Sequence, residues 1–269
     1  MSQIVVLRAF LRRDWQIDIS YRAAFAFELI GLLLLVATFF YLSRVVNSAE
    51  FSADQDLSGG YFGFVAVGLA LVQIVQVSFT SFSRKLRDEQ TTGTLEALIA
   101  TPTNTSVIIL SSAAYDLLRA TLGGLVLLLL SVTVFGLSID TSPPSLVVAL
   151  AALVGCIGLF ASLGVAIAAF TVVYKRGVGM LTFVVSGLAL LGGVYFPVSV
   201  LPEPIEAIAK LLPFTWGLDV ARAALLGGDV DPVQLAGLFA SVGILLPMAL
   251  VIFNAAVRKA SRAGTLAQY

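Results

Sequence analysis

The chain has 269 residues, of which 59% are hydrophobic and 12% are charged, and its sixteen acidic and sixteen basic side chains cancel. Soluble domains carry about 25% charged residues, so the composition excludes a soluble enzyme, and the balanced charge excludes a nucleic-acid binder. The sequence has no histidine and a single cysteine, Cys156, which excludes histidine-ligated metals, imidazole acid–base chemistry and an internal disulfide. The composition predicts an integral membrane protein.

The N-terminal segment, residues 3–20, is too charged to cross a membrane but has a helical periodicity. Leu7 and Phe10 lie on an apolar arc, whereas Arg8 and Arg12 lie on the other side. A basic amphipathic helix of this kind is expected in the cytoplasmic headgroup layer. We therefore expect an interface helix within residues 1–22, and an ordinary juxtamembrane anchor is the alternative.

Six apolar stretches are long enough for helices of about 20 residues that cross the hydrocarbon core. They lack the alternation of a membrane barrel, so helices are expected. The first stretch follows a segment with four arginines and is longer than the apolar region of a signal peptide, which predicts a retained span. The predicted spans are residues 23–46, 61–82, 107–137, 145–173, 178–198 and 233–257, which form a transmembrane domain at 23–257 before a tail at 258–269.

The distribution of lysine and arginine predicts the orientation. The N-terminal segment, the second and fourth loops and the tail together hold twelve of the sixteen basic residues, whereas the remaining loops are acidic. Both termini are therefore expected in the cytoplasm.

Polar side chains within the predicted spans are candidates either for function or for contacts between helices. Gln73, Gln76 and Thr80 form a stripe along the second span, which either hydrogen-bonds to other helices or lines a translocation path. Asp116 and Arg119 stand three residues apart on one face of the third span, where they can pair. Their position near the cytoplasmic end favours a structural pair over a substrate contact.

The second loop, residues 83–104, is the most polar stretch of the chain. Within it, residues 94–100 have a short helical pattern that Thr94 can cap and that Pro102 ends. A capped helix of two turns with one apolar face can fit a groove on a partner protein. A plain cytoplasmic connector is the alternative.

Small residues recur at a spacing of four in the fourth span, a pattern that predicts close packing between helices. The pairs are Ala151 with Gly155, Gly158 with Ser162, and Gly164 with Ala168.

The fifth loop, residues 199–232, contains two amphipathic helical patterns that are too short to span. They cover residues 205–212 and 216–226 and are separated by Pro213. Their apolar faces and their position on the outer side, at the end of a span, suggest that they dip into the outer leaflet. Irregular backbone at that depth must be covered by protein or must line a water-filled cavity. A plain external hairpin is the alternative.

Two stretches of the sequence resemble the membrane subunits of type-2 ABC exporters, the permeases of drug, lipid and polysaccharide efflux systems. The first, at about residues 84–103, is similar to the cytoplasmic coupling helix of the family: Glu89, Gly93, Thr94, Leu95, Glu96, Ala97, Leu98, Thr101 and Pro102. The second is similar to the last outer loop of the family with its re-entrant helices, at about residues 199–226 and just before: Gly193, Val194, Tyr195, Phe196, Pro197, Leu201, Pro202, Pro213, Phe214, Thr215, Trp216, Asp219 and Arg222.

The resemblance implies an all-α permease with six transmembrane helices, located in the plasma membrane (the inner membrane of a bacterium). It implies a second copy of the permease and two ABC ATPase subunits as partners, beside the membrane lipids. ATP and Mg would bind to the ATPase, and no cofactor to this chain, which has no Gly-x-x-x-x-Gly-Lys-Ser/Thr motif. The implied substrate is an amphiphile, such as a lipid, a glycolipid-linked polysaccharide or a drug.

The same resemblance implies roles for individual residues. Contact with the ATPase is implied for Glu89, Gly93, Thr94, Leu95, Glu96 and Leu98. An outer re-entrant gate is implied for Tyr195, Phe196, Pro197, Pro213 and Trp216. The stripe of Gln73, Gln76 and Thr80 is the candidate lining of the path between them.

Two other classes of membrane protein are weaker alternatives. A secondary transporter or channel independent of an ATPase normally needs acids or histidines at the membrane midplane, and the candidates here, Asp116 and Glu28, are shallow. A membrane enzyme normally needs an acid–base constellation, which the sequence lacks.

Overall fold

The computed structural model describes residues 3–19, 22–46, 57–93, 105–174 and 178–262. Within these ranges the regular elements are helices, and no β-strand occurs among them, which confirms the all-α prediction for this part of the chain. The helices are α1 (Gln3–Ile19), α2 (Arg22–Ser43), α3 (Gly60–Thr91), α4 (Thr105–Thr133), α5 (Pro143–Tyr174), α6 (Val178–Leu191), α7 (Glu203–Lys210), α8 (Pro213–Leu226) and α9 (Pro232–Arg262).

Among the described residues, five helices are long and apolar enough to cross a membrane: α2, α3, α4, α5 and α9. The span predicted at residues 178–198 contains α6, which has 14 residues and therefore rises about 21 Å, less than the hydrocarbon core of about 30 Å. Gly193 follows α6 with a φ of +80°, a conformation that does not continue a helix. The count of six spans stays a prediction.

The second predicted span is longer in the structure than its hydropathy indicated. The sequence predicted that the span ends at Phe82 and that a loop begins there, but α3 continues to Thr91. The additional turns carry Lys85 and Glu89, which form ion pairs with residues of α1 and α4. These long-range partners support helical turns that are too polar to read as part of a span.

α3 is the central helix of the bundle. In its spanning stretch 83% of the residues are buried inside the protein, against 17% in α2 and in α4. Phe64, Val65 and Val67 belong to the main hydrophobic core, where α3 packs against α4, α5 and α8. A displacement of α3 would therefore disturb most of the bundle.

α5 and α9 pack closely because glycines of α5 leave room for branched side chains of α9. A Cβ atom on Gly155 would approach Leu238 to 2.5 Å, and one on Gly158 would approach Val242 to 2.9 Å. The small-residue pattern of the fourth span was therefore correctly interpreted as a packing feature.

The fifth loop forms a pair of short helices, α7 and α8, as its two amphipathic patterns predicted. The Thr215 hydroxyl donates to the carbonyl of Ala209 at 2.8 Å, and the Trp216 indole N–H donates to the carbonyl of Lys210 at 2.8 Å. Both acceptors are carbonyls at the C-terminal end of α7, which lack partners within the helix. Side chains from the start of α8 thus fix the end of α7.

Candidate translocation path and coupling surface

The polar stripe predicted on the second span lies on an accessible face of α3. Gln76 is exposed, whereas Gln73 and Thr80 are half-buried. The Thr80 hydroxyl donates to the carbonyl of Gln76 at 2.9 Å and accepts a hydrogen bond from the Arg84 guanidinium at 3.1 Å. Gln73, Gln76, Thr80 and Arg84 therefore form a continuous polar strip, which ends in a cation.

A cluster of five charged side chains joins α1 to α3 and α4, and we call it the charge cluster. Arg13 Nη1 lies 2.7 Å from Glu89 Oε1 and Arg13 Nε lies 2.9 Å from Asp14 Oδ1. Lys85 Nζ lies 2.7 Å from Asp14 Oδ2 and 3.4 Å from Asp116 Oδ1. The cluster fixes the amphipathic helix α1 beside the part of α3 that leads to the predicted coupling segment.

The acidic members of the charge cluster are more buried than its arginine. The side chain of Asp14 is 4% exposed and that of Glu89 is 12% exposed, whereas that of Arg13 is 42% exposed. Burial lowers the pKa of Arg13, but the hydrogen bonds to Glu89 and Asp14 raise it, and the net result lies above the ordinary value. Arg13 therefore stays charged and, together with Lys85, neutralises Asp14 and Glu89, which would be costly to bury alone.

The structure corrects the predicted pairing of Asp116 with Arg119. Asp116 accepts a hydrogen bond from the Ser81 hydroxyl at 2.7 Å and joins the charge cluster through Lys85. Arg119 pairs with Glu28 of α2 at 2.5 Å. Both residues thus connect α4 to neighbouring helices, which a pattern read along one helix cannot indicate.

The residues predicted to contact an ATPase are described only in part. Glu89 is buried and holds α1 through Arg13. Gly93 has a φ of +74°, a backbone conformation that favours glycine. The remaining residues, Thr94, Leu95, Glu96 and Leu98, lie outside the described residues, so the coupling helix stays a prediction.

The residues of the predicted outer gate lie along the segment from α6 to α8. The ring of Tyr195 stacks on that of Phe39 of α2, with centroids 6.0 Å apart and an interplanar angle of 17°. Pro197 is buried, Phe196 is half-buried, and Pro213 is the first residue of α8. Trp216 contacts α7 through its indole N–H. Their role as a gate stays a prediction.

The sequence interpretation gave no role to Arg222, the residue that connects this outer region to α3. Its guanidinium donates to the carbonyl of Phe64 at 3.1 Å, to that of Gly193 at 2.8 Å and to that of Val194 at 3.1 Å. It also lies 3.4 Å from the centre of the Phe64 ring, and the residue is 2% exposed. We call this arrangement the outer clamp. The available signal was a pair of charged residues, Asp219 and Arg222, in a mostly apolar helix.

Gly68 makes the outer clamp possible, because α3 has no side chain at that position. A Cβ atom there would lie 2.6 Å from the carbonyl oxygen of Val194 and 2.7 Å from Nη2 of Arg222. The loop after α6 can therefore approach the backbone of α3 directly.

Apolar helices of spanning length around a central buried helix define a multi-pass membrane protein. Comparison with protein families identifies the family of this membrane protein. Residues 2–226 match the family described as ABC-2 type transporter, and the chain belongs to this family.

The chain is also similar to curated proteins named Nodulation protein J. It is 28% identical over 199 residues to that of Rhizobium meliloti, covering 72% of this chain and 71% of the relative. It is 26% identical over 196 residues to that of Sinorhizobium fredii, covering 71% of this chain and 73% of the relative. With that of Neorhizobium galegae it shares 27% identity over 181 residues, covering 65% of this chain and 66%, just under two thirds, of the relative.

Proposed function

We propose that this chain is the permease subunit of an ATP-driven exporter, which moves an amphiphilic substrate out of the cytoplasm or out of the inner leaflet. The substrate class would be a lipid, a glycolipid-linked polysaccharide or a drug. Membership of the ABC-2 type transporter family supports the transport function. The polar strip of α3 is the observation that supports our assignment of the translocation path to this face of the bundle.

An exposed polar strip on a spanning helix is unfavourable against lipid, because hydrocarbon offers no hydrogen-bond partners. Such residues usually face another helix or a water-filled cavity. α3 is buried inside the bundle on most of its surface, and Gln76 is exposed within that buried helix. We infer that this face borders a water-filled path shared with a second copy of the permease.

The proposed assembly contains two copies of the permease and two ABC ATPase subunits in the bacterial inner membrane. Both termini lie in the cytoplasm, and residues 178–198 complete a set of six spans. ATP and Mg bind to the ATPase, which carries out the hydrolysis. In this orientation Arg84 marks the cytoplasmic mouth of the path, and the pair α7–α8 lies at its outer end as a re-entrant gate.

Coupling between the subunits needs a physical contact, because a ligand shifts an equilibrium only through different interactions with its two states. We propose that the helix at residues 94–100 provides it. Leu95 and Leu98 would fill an apolar groove on the ATPase, and Glu96 would meet a basic or hydrogen-bonding group. Gly93, with its positive φ, forms the turn between α3 and this helix.

The first experiment replaces Leu95 and Leu98 together with alanine in the chain co-expressed with its ATPase. Truncation of a buried interface anchor commonly costs about 2 kcal/mol or more. We expect membrane insertion to persist while co-purification of the ATPase falls. Co-purification and transport at wild-type levels would contradict the coupling assignment.

The second experiment tests the path with a matched pair of variants, Thr80→Val and Thr38→Val. Both hydroxyls donate to the carbonyl four residues earlier within a spanning helix, Thr80 at 2.9 Å and Thr38 at 2.8 Å. The purified complex in lipid vesicles is assayed for stimulation of ATP hydrolysis by candidate lipids and glycans. We expect Thr80→Val to reduce the stimulation and Thr38→Val to leave it unchanged. Equal stimulation in both variants would exclude the strip from the path.

A further inference from the structure

A groove lined by apolar side chains lies between α4 and α5, with residues of α3 and α8 as its floor. It has a volume of about 500 Å³, and Thr141 is the single polar residue among those that line it. Pockets that hold a whole small molecule have volumes of about 300–1,000 Å³. The groove is therefore large enough for a ligand, and its lining selects an apolar one.

The groove opens sideways between two helices of spanning length. Its walls include Leu125 and Leu129 of α4 and Leu146 and Leu150 of α5, and these four leucines are between 45% and 61% exposed. Both walls belong to apolar helices that are long enough to cross the membrane. The solvent at the opening is therefore hydrocarbon rather than water.

The groove and the polar strip lie on different faces of α3. Val67 and Ile74 belong to the floor of the groove, whereas Gln76 belongs to the strip. With 3.6 residues per turn, Gln76 lies about half a turn around the helix from Val67. If the strip faces the path and the second copy, as proposed above, the groove faces away from both and toward the lipid.

The length of the groove corresponds to the depth of one leaflet. The stretch of α4 that lines it runs from Gly124 to Val132, a rise of about 12 Å, and half of the hydrocarbon core is about 15 Å thick. At the inner end α4 closes onto α3, where a Cβ atom on Gly124 would lie 2.8 Å from Ile74 and 2.9 Å from the carbonyl of Ala70. Thr141 marks the other end, which the proposed orientation assigns to the outer surface.

We propose that this groove binds one acyl chain of a phospholipid of the outer leaflet. The chain lies lengthwise between the leucines of α4 and α5 and touches α3 on the face formed by Val67, Leu71 and Ile74. Its ester and headgroup remain near Thr141, at the polar end of the groove. The assignment to the outer leaflet and the direction of the groove away from the second copy rest on the proposed function, whereas the binding of a chain does not depend on the substrate or on the ATPase.

Photocrosslinking with a defined lipid tests this proposal. The chain is purified and placed in phosphatidylcholine nanodiscs that contain a trace of phosphatidylcholine with a diazirine near the end of one acyl chain. After illumination, labelled peptides are identified by mass spectrometry. We expect the label to concentrate on the residues of α4 and α5 that line the groove, above the level on the exposed faces of α2 and α9.

Two double variants provide the matched comparison. Leu125→Trp with Leu129→Trp fills the mouth of the groove. Leu118→Trp with Leu122→Trp changes two leucines on the same face of α4, which are 52% and 53% exposed and do not line the groove. We expect the label on the α5 wall to fall about tenfold in the first variant, equivalent to about 1.4 kcal/mol, and to remain at the wild-type level in the second.

Equal labelling of both double variants, or an even distribution over all lipid-facing helices, would mean ordinary annular lipid and would overturn the proposal. A second copy in the groove would also overturn it, and this would appear as a disulfide-linked dimer of Leu129→Cys in a Cys156→Ser background. Labelling of the groove only from the cytoplasmic leaflet of oriented vesicles would overturn the leaflet assignment. Failure of the Thr80→Val experiment would leave the labelling pattern unchanged, so the two proposals fail separately.

Discussion

The two ends of α3 are fixed by interactions of different kinds. At one end, the charge cluster connects charged side chains of α1, α3 and α4, of which Arg13 is 42% exposed. At the other end, the outer clamp connects one buried guanidinium to three main-chain carbonyls. In the charge cluster both members of each contact are rotatable side chains. In the outer clamp the acceptors are backbone carbonyls, whose positions are fixed by the fold.

This difference indicates which neighbours move together with α3. The pair of Arg13 with Glu89 includes a partly exposed side chain and contributes little, so this contact between α1 and α3 separates more easily than the outer clamp. Buried carbonyls that lose their donor cost about 1–3 kcal/mol each, so the outer clamp resists separation. We expect α3, α8 and the loop at residues 193–194 to behave as one body, and the junction with α1 to be the adjustable one.

The largest effect is expected for Arg222→Leu. The substitution removes the Arg222 donor from the carbonyls of Gly193 and Val194 and a second donor from the carbonyl of Phe64, at a cost of about 1–3 kcal/mol for each group that stays unpaired. We expect a large fall in the melting temperature of the purified protein. The melting temperature is measured by size-exclusion chromatography of samples heated to increasing temperatures. The melting temperature of Arg222→Lys should lie between those of the wild type and Arg222→Leu, because an ammonium group lacks the planar fork of a guanidinium.

Lys210→Leu is the control for this prediction. Lys210 lies in the same outer region but its side chain is 62% exposed and pairs only along the surface of α7 with Glu206. We expect its melting temperature to stay near that of the wild type. A wild-type melting temperature for Arg222→Leu would mean that the outer clamp contributes no stability, and the contrast between the two ends of α3 would disappear.

A smaller effect at the same end is expected for Gly68→Ala, which adds one methyl group to the outer clamp. The new Cβ would lie 2.6 Å from the carbonyl oxygen of Val194 and 2.7 Å from Arg222 Nη2, and overpacking of this kind costs about 1–3 kcal/mol. Gly31→Ala is the control, because a Cβ on Gly31 has nothing within 4 Å. Since alanine favours a helix by up to about 1 kcal/mol over glycine, the control should be neutral or slightly stabilised. Equal melting temperatures for the two variants would show that the loop yields easily to the methyl group.

The sequence predicted the parts of the fold that depend on local composition. Hydropathy summed over about 20 residues identified the long apolar helices, and the four-residue spacing of small residues identified positions where α5 packs closely on other helices. The end of α3 could not be predicted from local composition, because its last turns depend on partners in α1 and α4.

Partners at long sequence separation could not be predicted from the chain. Arg13 and Glu89 are 76 positions apart, and Arg222 and Phe64 are 158 positions apart. The pattern within one helix paired Asp116 with Arg119, although each has a partner on another helix. The candidate site was therefore predicted as a set of residues, whereas the contacts that connect the set depend on the fold.

The smallest effect is expected for the pair of Arg13 with Glu89, measured as a double-mutant cycle with Arg13→Ala, Glu89→Ala and the double variant. Residues in contact show coupling energies of about 0.5–3 kcal/mol, and the exposure of Arg13 favours the lower part of that range. The surface pair of Glu206 with Lys210 is the control, with an expected coupling of about 0.3–0.5 kcal/mol. Salt should weaken the Arg13 pair and leave the buried outer clamp unaffected.

The same cycle separates two roles for Glu89 when association with the ATPase is measured. If Glu89 acts by holding α1, Arg13→Ala and Glu89→Ala should weaken the association equally, and the double variant should be no worse than either. If Glu89 contacts the ATPase directly, Glu89→Ala should weaken the association by the same factor whether or not Arg13 is present. We expect the first result, because the Glu89 side chain is 12% exposed and its carboxylate lies 2.7 Å from the Arg13 guanidinium. The second result would make the C-terminal end of α3 part of the coupling interface itself, rather than a support for it.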